Sequence, residues 1–245
     1  FKQWKDHDPA PQPEHALPNS TVQLLARCYS ASPKISFRII ADLVVIAYFF
    51  LLRVCEYTKS SRTTRTVPLR RQDIQLWRKK RLLSHTLPLT ELLQADAVTI
   101  CLENQKNGVK GAIVHHTFSG NPVFNPVMSM ARLVFAIQML PANTQIGSFI
   151  DRNGSIQFIQ PKQIVASLRF AAAADNLGNA GFNLRRIGSH SLRSGGAVNL
   201  KLNGYDHDII KKLGRWSSNT YLHYIQNSIG ELTTGVATKM ATTLR

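Results

Sequence analysis

The sequence predicts a mostly helical protein with one or two small antiparallel sheets. Two observations lead to this prediction. Segments with a helical pattern fill most of the chain after residue 160, punctuated by Gly188, Gly204 and Gly214. Two β-rich runs, AVTICLE (97–103) and GAIVHHTF (111–118), flank the segment NQKNG, which predicts a hairpin.

Taken in order, residues 1–20 hold four of the 11 prolines and predict an extended linker or arm. A helix capped at Ser20 or Thr21 then runs to about residue 28, and a long apolar helix spans roughly 34–54. Residues 59–82 contain nine Lys or Arg and a single acid, Asp73.

The hairpin follows, with Asn107-Gly108 as its turn, and a second short hairpin is expected around Asn153-Gly154. The remaining helices are predicted at about 125–140, 161–176, 190–203, 206–213, 217–228 and 231–240.

The composition limits the classes of function. The 245 residues include 30 Lys and Arg against 14 Asp and Glu, a formal net charge of +16. Because 44% of the residues are hydrophobic and only 18% are charged, the chain can bury a full core, and a disordered basic tail is excluded. The excess charge therefore lies on a folded surface, which indicates a polyanion, most simply nucleic acid, as the partner.

Other features of the composition indicate an environment and exclude some partners. Three cysteines without CxxC spacing predict neither a disulfide framework nor a metal cluster, and they favour a reducing intracellular compartment. The apolar run LVVIAYFFLL (43–52) is too short to span a bilayer and predicts a buried helix. We expect no membrane partner, no cofactor, no metal and no small-molecule substrate.

Two short motifs combine residues that suit a phosphate. In LRVCEYT (52–58), Arg53 and Glu56 lie three apart at the end of the apolar helix; alone, this pair predicts an ordinary ion pair. In SHSLRSGGAVNL (189–200), His190 and Arg193 lie at the start of a predicted helix, where an anion binds favourably. The adjacent Gly195-Gly196 would let another backbone come close.

Two further segments are less specific when taken alone. In KKLGRWSSNTYLHYIQ (211–226), Trp216 sits between two predicted helices, and Tyr221 and Tyr224 follow at helical spacing, a pattern more typical of a core. Lys106 lies at the tip of the predicted hairpin, where a lysine usually serves solubility.

Together, the order and intervals of these four segments resemble the tyrosine recombinase (phage integrase) family over about residues 20–230. HSLRSGGA and LGRWSSNTYLHYI are the specific motifs. The resemblance implies the catalytic-domain fold of these DNA breaking–rejoining enzymes. The Trp in the G-R-W motif is similar to recombinases of eukaryotic mobile elements of the Crypton and DIRS classes, which would place the protein in a nucleus if the host is eukaryotic.

The resemblance also implies roles for individual residues. Two arginines, a lysine, a histidine and a tryptophan would bind the scissile phosphate, and a tyrosine would attack it, with one acid as support. The matching arginines are Arg53 and Arg193, the lysine is Lys106, the histidine is His190 and the tryptophan is Trp216. The attacking tyrosine is Tyr224, and the supporting acid is Glu56.

Two of these assignments have rivals. Tyr221 competes with Tyr224, because the interval of eight residues from Trp216 to Tyr224 is one shorter than in many family members. Lys110 competes with Lys106, although K-N-G-V-K-G favours Lys106.

The expected partner is double-stranded DNA, held by a homotetramer on two duplexes as in the family. Residues 1–20 would be a linker from an N-terminal DNA-binding domain, residues 21–230 the catalytic domain, and residues 231–245 a helix or tail exchanged between protomers. Basic residues expected to contact the duplex are Arg62, Arg65, Arg70, Arg71, Arg185, Arg186, Lys211, Lys212 and Arg215.

The predicted function is therefore a site-specific recombinase or integrase that cleaves and rejoins DNA through a 3′-phosphotyrosyl intermediate without a metal. The alternatives are a non-catalytic DNA-binding relative and a type IB topoisomerase-like enzyme. A metal hydrolase built on His115 and His116 is disfavoured, because adjacent residues of a strand point to opposite faces.

Overall fold

A computed structural model of the chain describes residues 14–58, 66–105, 110–218 and 221–222. Within these ranges the helices are α1 (Asn19–Ser30), α2 (Ile35–Phe49), α3 (Val54–Tyr57), α4 (Leu89–Leu92), α5 (Pro126–Ala136), α6 (Pro161–Ala174), α7 (Ser191–Leu202) and α8 (His207–Gly214). The strands are β1 (Ile74–Arg78), β2 (Arg81–Leu82), β3 (Ala97–Asn104), β4 (Lys110–Thr117), β5 (Ser148–Ile150) and β6 (Ile156–Phe158).

Helix α2 is the centre of the core. Every residue from 39 to 48 is buried, as expected for the apolar run, and α1, α5 and α7 pack around the helix. A helix surrounded in this way is mostly apolar on every side, and the one acid of α2, Asp42, is paired with Arg132. No helix among the described residues is long and apolar enough to cross a bilayer.

Two antiparallel sheets flank the helices. The larger has the order β2-β1-β3-β4, and its register pairs Ile74 with Ile100 and Ile100 with Val114, so that one stripe of side chains is buried. The smaller sheet joins β5 to β6 across Asn153-Gly154. Both predicted hairpin positions are confirmed, although residues 106–109, with the expected Asn107-Gly108 turn, lie outside the described residues.

Strands β1 and β2 are not foreseen by the sequence analysis. They are joined by Lys79 and Lys80, with φ of 48° and 65°. A two-residue hairpin turn favours positive φ at both positions, which Asn-Gly usually supplies. Two lysines therefore give no turn signal in the sequence.

The long helix expected over 34–54 is interrupted. Helix α2 ends at Phe49, Leu51 has a left-handed φ of 49°, and α3 starts at Val54. Arg53 therefore caps α3 instead of lying on the face of α2. No glycine or proline marks this break.

The arm expected over residues 1–20 is partly packed. Residues 14–18 have no regular secondary structure, but Leu17 is 1% exposed and its N–H donates to the Ser191 carbonyl at 3.0 Å. Helix α1 already begins at Asn19. The predicted helix at 231–240 and most of that at 217–228 lie outside the described residues, as does the proposed exchange segment 231–245.

Candidate functional site

The left-handed turn after α2 is where the separate motifs meet. The Leu51 carbonyl accepts from Arg193 Nη1 at 2.5 Å and from Arg215 Nη2 at 3.1 Å. One backbone oxygen thus connects the end of α2 with α7 and with the residue that follows α8.

Glu56 connects this turn to Arg53. Its carboxylate is fully buried; Oε1 accepts from Arg53 Nη1 and Oε2 from Arg215 Nη2, both at 2.9 Å. Oε2 also accepts the backbone N–H of Arg53 at 2.9 Å, which fixes the start of α3. Glu56 therefore orients both arginines, and three guanidinium groups share a site with one carboxylate.

Arg193 and Trp216 form a stacked pair. Arg193 is 1% exposed, and its guanidinium carbon lies 4.3 Å from the centroid of the Trp216 ring, a cation–π distance. Arg193 Nη2 donates to the Gly214 carbonyl. A Cβ on Gly214 would lie 1.6 Å from Trp216 Cζ3, so this stack needs glycine at position 214.

The two glycines of α7 bring Arg193 to the turn. A Cβ on Gly195 would lie 2.2 Å from the Leu17 carbonyl oxygen, and one on Gly196 would lie 2.5 Å from that of Tyr48. A side chain at position 195 would push α7 away from the segment before α1, and one at position 196 would push it away from α2. The close backbone approach expected of Gly195-Gly196 is therefore present.

His190 stands at the start of α7. Its side chain is 48% exposed, and its backbone N–H donates to Glu14 Oε2 at 2.6 Å. Burial opposes ionisation of Glu14, but hydrogen bonds from His190 outweigh it and lower the pKa of the carboxyl group. A carboxylate thus sits where a helix N-terminus attracts anions.

Tyr221 has a packing role in this structure. It is 2% exposed, its ring centroid lies 5.3 Å from that of Trp216, and its hydroxyl lies 3.0 Å from His207 Nδ1. Burial raises the pKa of the Tyr221 hydroxyl, and Asp208 and Asp206 raise it further. These features disfavour Tyr221 as a nucleophile.

Several predicted residues cannot be placed. Those outside the described residues are Lys106, Tyr224, Arg62 and Arg65. The rival Lys110 is exposed at the start of β4, opposite Asn104.

The described basic residues expected on the duplex differ in their surroundings. Arg185 and Lys212 are exposed, whereas Arg186 and Lys211 are half-buried. Arg71 is half-buried and donates to the Leu140 carbonyl at 2.9 Å.

Two arginines do not fit that expectation. Arg70 forms ion pairs with Asp73 and Glu103, which compensate its charge. Arg215 has a side chain only 6% exposed, and burial lowers the pKa of its guanidinium although Glu56 opposes this. Arg215 therefore lies in the interior of the site in this structure, where its guanidinium is bound to acceptors of the protein.

One signal in the sequence could have placed Arg215 here. It precedes Tyr224 by nine residues, the interval that Trp216 misses by one. Gln105, which binds Arg215 Nε through its side-chain oxygen at 3.1 Å, carries no such signal.

The adjacent histidines of β4 face opposite ways. His116 is packed against the rings of Phe49 and Phe50 and bonds to the Phe49 carbonyl at 2.9 Å, whereas His115 is exposed and bonds to Thr99. Burial lowers the pKa of His116 to about 4. Among the described residues, no three His, Cys, Asp or Glu side chains are grouped as metal ligands.

Comparison with known proteins gives a match in structure only. No protein-family model matches the sequence, and no curated protein matches it. The XerH site-specific recombinase in its post-cleavage complex with palindromic difH substrate matches with a TM-score of 0.58 and 16% identity, over 92% of this chain and 53% of XerH.

Two further structures agree. The pre-cleavage complex of XerH with difH has a TM-score of 0.55 and 16% identity, over 91% of this chain and 53% of that one. The XerA recombinase has a TM-score of 0.51 and 16% identity, over 97% of this chain and 67% of XerA. The chain spans about half the length of XerH.

At 16% identity these likenesses concern the fold. They confirm the fold class that the sequence predicts: the chain is helix-rich with a small antiparallel sheet, and it has the fold of tyrosine-recombinase catalytic domains.

Proposed function

We propose that the chain is the catalytic domain of a site-specific DNA recombinase or integrase that works through a 3′-phosphotyrosyl intermediate. The observation that carries this proposal is the convergence of Arg53, Arg193 and Trp216 at one turn, with Glu56 as the carboxylate that orients Arg53. These residues come from distant parts of the sequence, and local structure alone would not bring them together.

The arrangement suits phosphoryl transfer. Attack on a phosphodiester increases the negative charge on the non-bridging oxygens, and fixed guanidinium groups stabilise that charge in the transition state. Arginine is suited to this role because its planar fork binds two oxygens and stays charged. Arg193 is held by two carbonyls and an aromatic ring, which fix its position without cancelling its charge.

The remaining steps follow from the residues matched in the sequence. The Tyr224 oxygen attacks phosphorus, the P–O5′ bond breaks, and the phenolic proton leaves to solvent. Lys106 donates a proton to the departing 5′ oxygen as general acid. The covalent product keeps the bond energy, so a second 5′ hydroxyl can reverse the attack without ATP, and no divalent metal is needed.

The wider assembly is part of the same proposal. A homotetramer on two duplexes would exchange the strands, with residues 231–245 linking protomers. Trp216 in place of histidine supports an origin in a Crypton- or DIRS-like mobile element. The exposed cations Arg185 and Lys212, with the half-buried Arg71, Arg186 and Lys211, would hold the phosphate backbone, and affinity would fall steeply with salt.

The test uses a library of nicked suicide duplexes with randomised sequence around the nick. Wild-type protein should form an adduct that survives denaturing electrophoresis, and sequencing of the trapped DNA should give a target motif. Arg53→Ala should bind duplex DNA normally and form adduct about 10²–10³ times more slowly.

The alternatives give different results. Binding of the library with no adduct would indicate a non-catalytic DNA-binding relative. Adducts without sequence preference, together with relaxation of supercoiled DNA, would indicate a type IB topoisomerase-like enzyme.

A further inference from the structure

All three side-chain nitrogens of Arg215 donate hydrogen bonds within the protein. Its three nitrogens donate to one carboxylate, one amide oxygen and three backbone carbonyls at 2.9–3.2 Å. The acceptors are Glu56, Gln105, Phe50, Leu51 and Leu213.

Three of these acceptors lead directly to the candidate catalytic residues. Glu56 is the carboxylate that holds Arg53. The Leu51 carbonyl also accepts from Arg193.

The third acceptor belongs to the hairpin. Gln105 is fully buried, accepts from Arg215 Nε at 3.1 Å, and directly precedes Lys106 in the chain. Trp216, which stacks on Arg193, directly follows Arg215.

We propose that Arg215 is a positioning residue that holds Arg53, Arg193 and Gln105, the residue between β3 and Lys106, in one fixed arrangement. The inference rests on the proposed function, since it assigns Arg215 to the same reaction. It replaces the role of duplex contact that the sequence suggested for Arg215.

Only arginine fits this position. A guanidinium carries five N–H donors in a rigid plane, whereas a lysine ammonium has three donors at a single point. A lysine at position 215 could keep the charge beside Glu56, but it could not also bind the Leu51 carbonyl and Gln105.

The backbone supports the same interpretation. Arg215 and Leu51 have left-handed φ of 56° and 49°, an unfavourable conformation for residues with a branched or long side chain. The hydrogen bond from Arg215 to the Leu51 carbonyl joins these two strained positions, so each turn helps to hold the other.

The chain offers a matched control for a purely structural ion pair. Arg132 binds Asp42 through both its Nε and Nη2, and the Asp42 side chain is 6% exposed. This pair links α5 to α2, and in the described part of the chain Arg132 bonds to Asp42 and Ser129 and not to Arg53, Glu56, Arg193 or Arg215. Loss of Arg132 should lower stability without changing the chemistry.

The experiment compares the full chain with Arg215→Lys, Arg215→Ala, Gln105→Ala and Arg132→Ala. For each protein we would measure the unfolding temperature, the affinity for duplex DNA, and the single-turnover cleavage rate at saturating DNA. Each rate would be measured on a normal substrate and on one with sulfur in place of the bridging 5′ oxygen. A thiolate leaves without a proton, so the sulfur substrate bypasses the general acid.

We expect Arg215→Lys to fold, to bind DNA with little change, and to cleave about 10² times more slowly, because displaced catalytic groups cost that much in rate. Gln105→Ala should be slow on the oxygen substrate and recover on the sulfur substrate. Arg132→Ala should unfold at a lower temperature but cleave at the wild-type rate below that temperature.

Other results would overturn the inference. If Arg215→Lys cleaved at the wild-type rate, the planar guanidinium group of Arg215 would not be needed. A loss of DNA affinity equal to the loss of rate would restore Arg215 as a duplex contact. Equal defects of Gln105→Ala on both substrates would remove the link to the hairpin.

The two proposals fail in different ways. A wild-type chain that binds duplex DNA but forms no adduct overturns the proposed function, and this inference falls with it. If the wild-type chain forms adduct and Arg215→Lys cleaves just as fast, only the inference about Arg215 is overturned. If Arg215→Ala does not fold, Arg215→Lys and Gln105→Ala still decide the question.

Discussion

The choice between Tyr221 and Tyr224 as the nucleophile can be tested by removing one hydroxyl at a time. Phenylalanine keeps the ring and its packing, so the substitution isolates the oxygen. Tyr221 packs in a small cluster with Ala197 and Ile210, and its hydroxyl is bonded to His207. We therefore expect Tyr221→Phe to affect stability and Tyr224→Phe to affect chemistry.

The size of the first effect follows from the contact. The bond between the Tyr221 hydroxyl and His207 Nδ1 is 3.0 Å long and part-buried, because Tyr221 is buried whereas His207 is exposed. Losing such a bond costs about 1 kcal/mol. In a chain of this size, that lowers the unfolding temperature by roughly 2–4 °C.

The assay is adduct formation on a nicked suicide duplex, well below the unfolding temperature. Tyr221→Phe should form adduct at close to the wild-type rate, whereas Tyr224→Phe should bind DNA and form none. Tyr205→Phe is the matched control, because Tyr205 is 46% exposed and should affect neither property. An adduct that persists in Tyr224→Phe and vanishes in Tyr221→Phe would refute the assignment.

Three further outcomes are expected. Excess EDTA should leave cleavage intact, and a loss of activity that magnesium restores would contradict the proposed mechanism. Gly214→Ala should separate Trp216 from Arg193 and destabilise the fold by about 1–3 kcal/mol, measured by denaturant unfolding. Burial lowers the pKa of His116 from 6.5 to about 4, so the unfolded state binds more protons between these values and stability falls as the pH drops through them. The loss should reach about 3 kcal/mol at pH 4, and His116→Gln should show a flatter pH dependence of unfolding.

The parts of the fold that the sequence could predict depend on local patterns. The apolar run of α2 and the β-rich runs of β3 and β4 are local signals, and a buried helix and a hairpin lie where they predict them, although α2 ends earlier than predicted. The turn at Lys79-Lys80 has no local signal, because lysine is not a residue that favours positive φ. Strands β1 and β2 were missed for that reason.

The break after α2 was missed for a different reason. Leu51 takes a left-handed conformation without glycine or proline, and its carbonyl is bound by arginines more than 140 residues away in sequence. A local pattern cannot report a contact of that range. Arg53, at the start of the separate helix α3, joins the same site through Glu56, so the helix is interrupted where the site is assembled.

The arginines of the site differ from those of the surface in what holds them. Arg70 is bound by two carboxylates, which compensate its charge and leave little attraction for a phosphate. Arg193 is bound by the Leu51 and Gly214 carbonyls, which are neutral. Arg53 and Arg215 share a single carboxylate, that of Glu56.

This difference separates the cations that would bind a polyanion from the cations that could take part in catalysis. A cation bound by two carboxylates, such as Arg70, has little charge left to attract a phosphate, whereas exposed cations attract any polyanion. Guanidinium groups fixed by carbonyls are already in place when charge develops in a transition state, so they need little reorganisation at that moment. The net charge of +16 therefore indicates a polyanionic partner, whereas the main-chain contacts of Arg193 support the proposal that chemistry on that partner occurs beside the Leu51 turn.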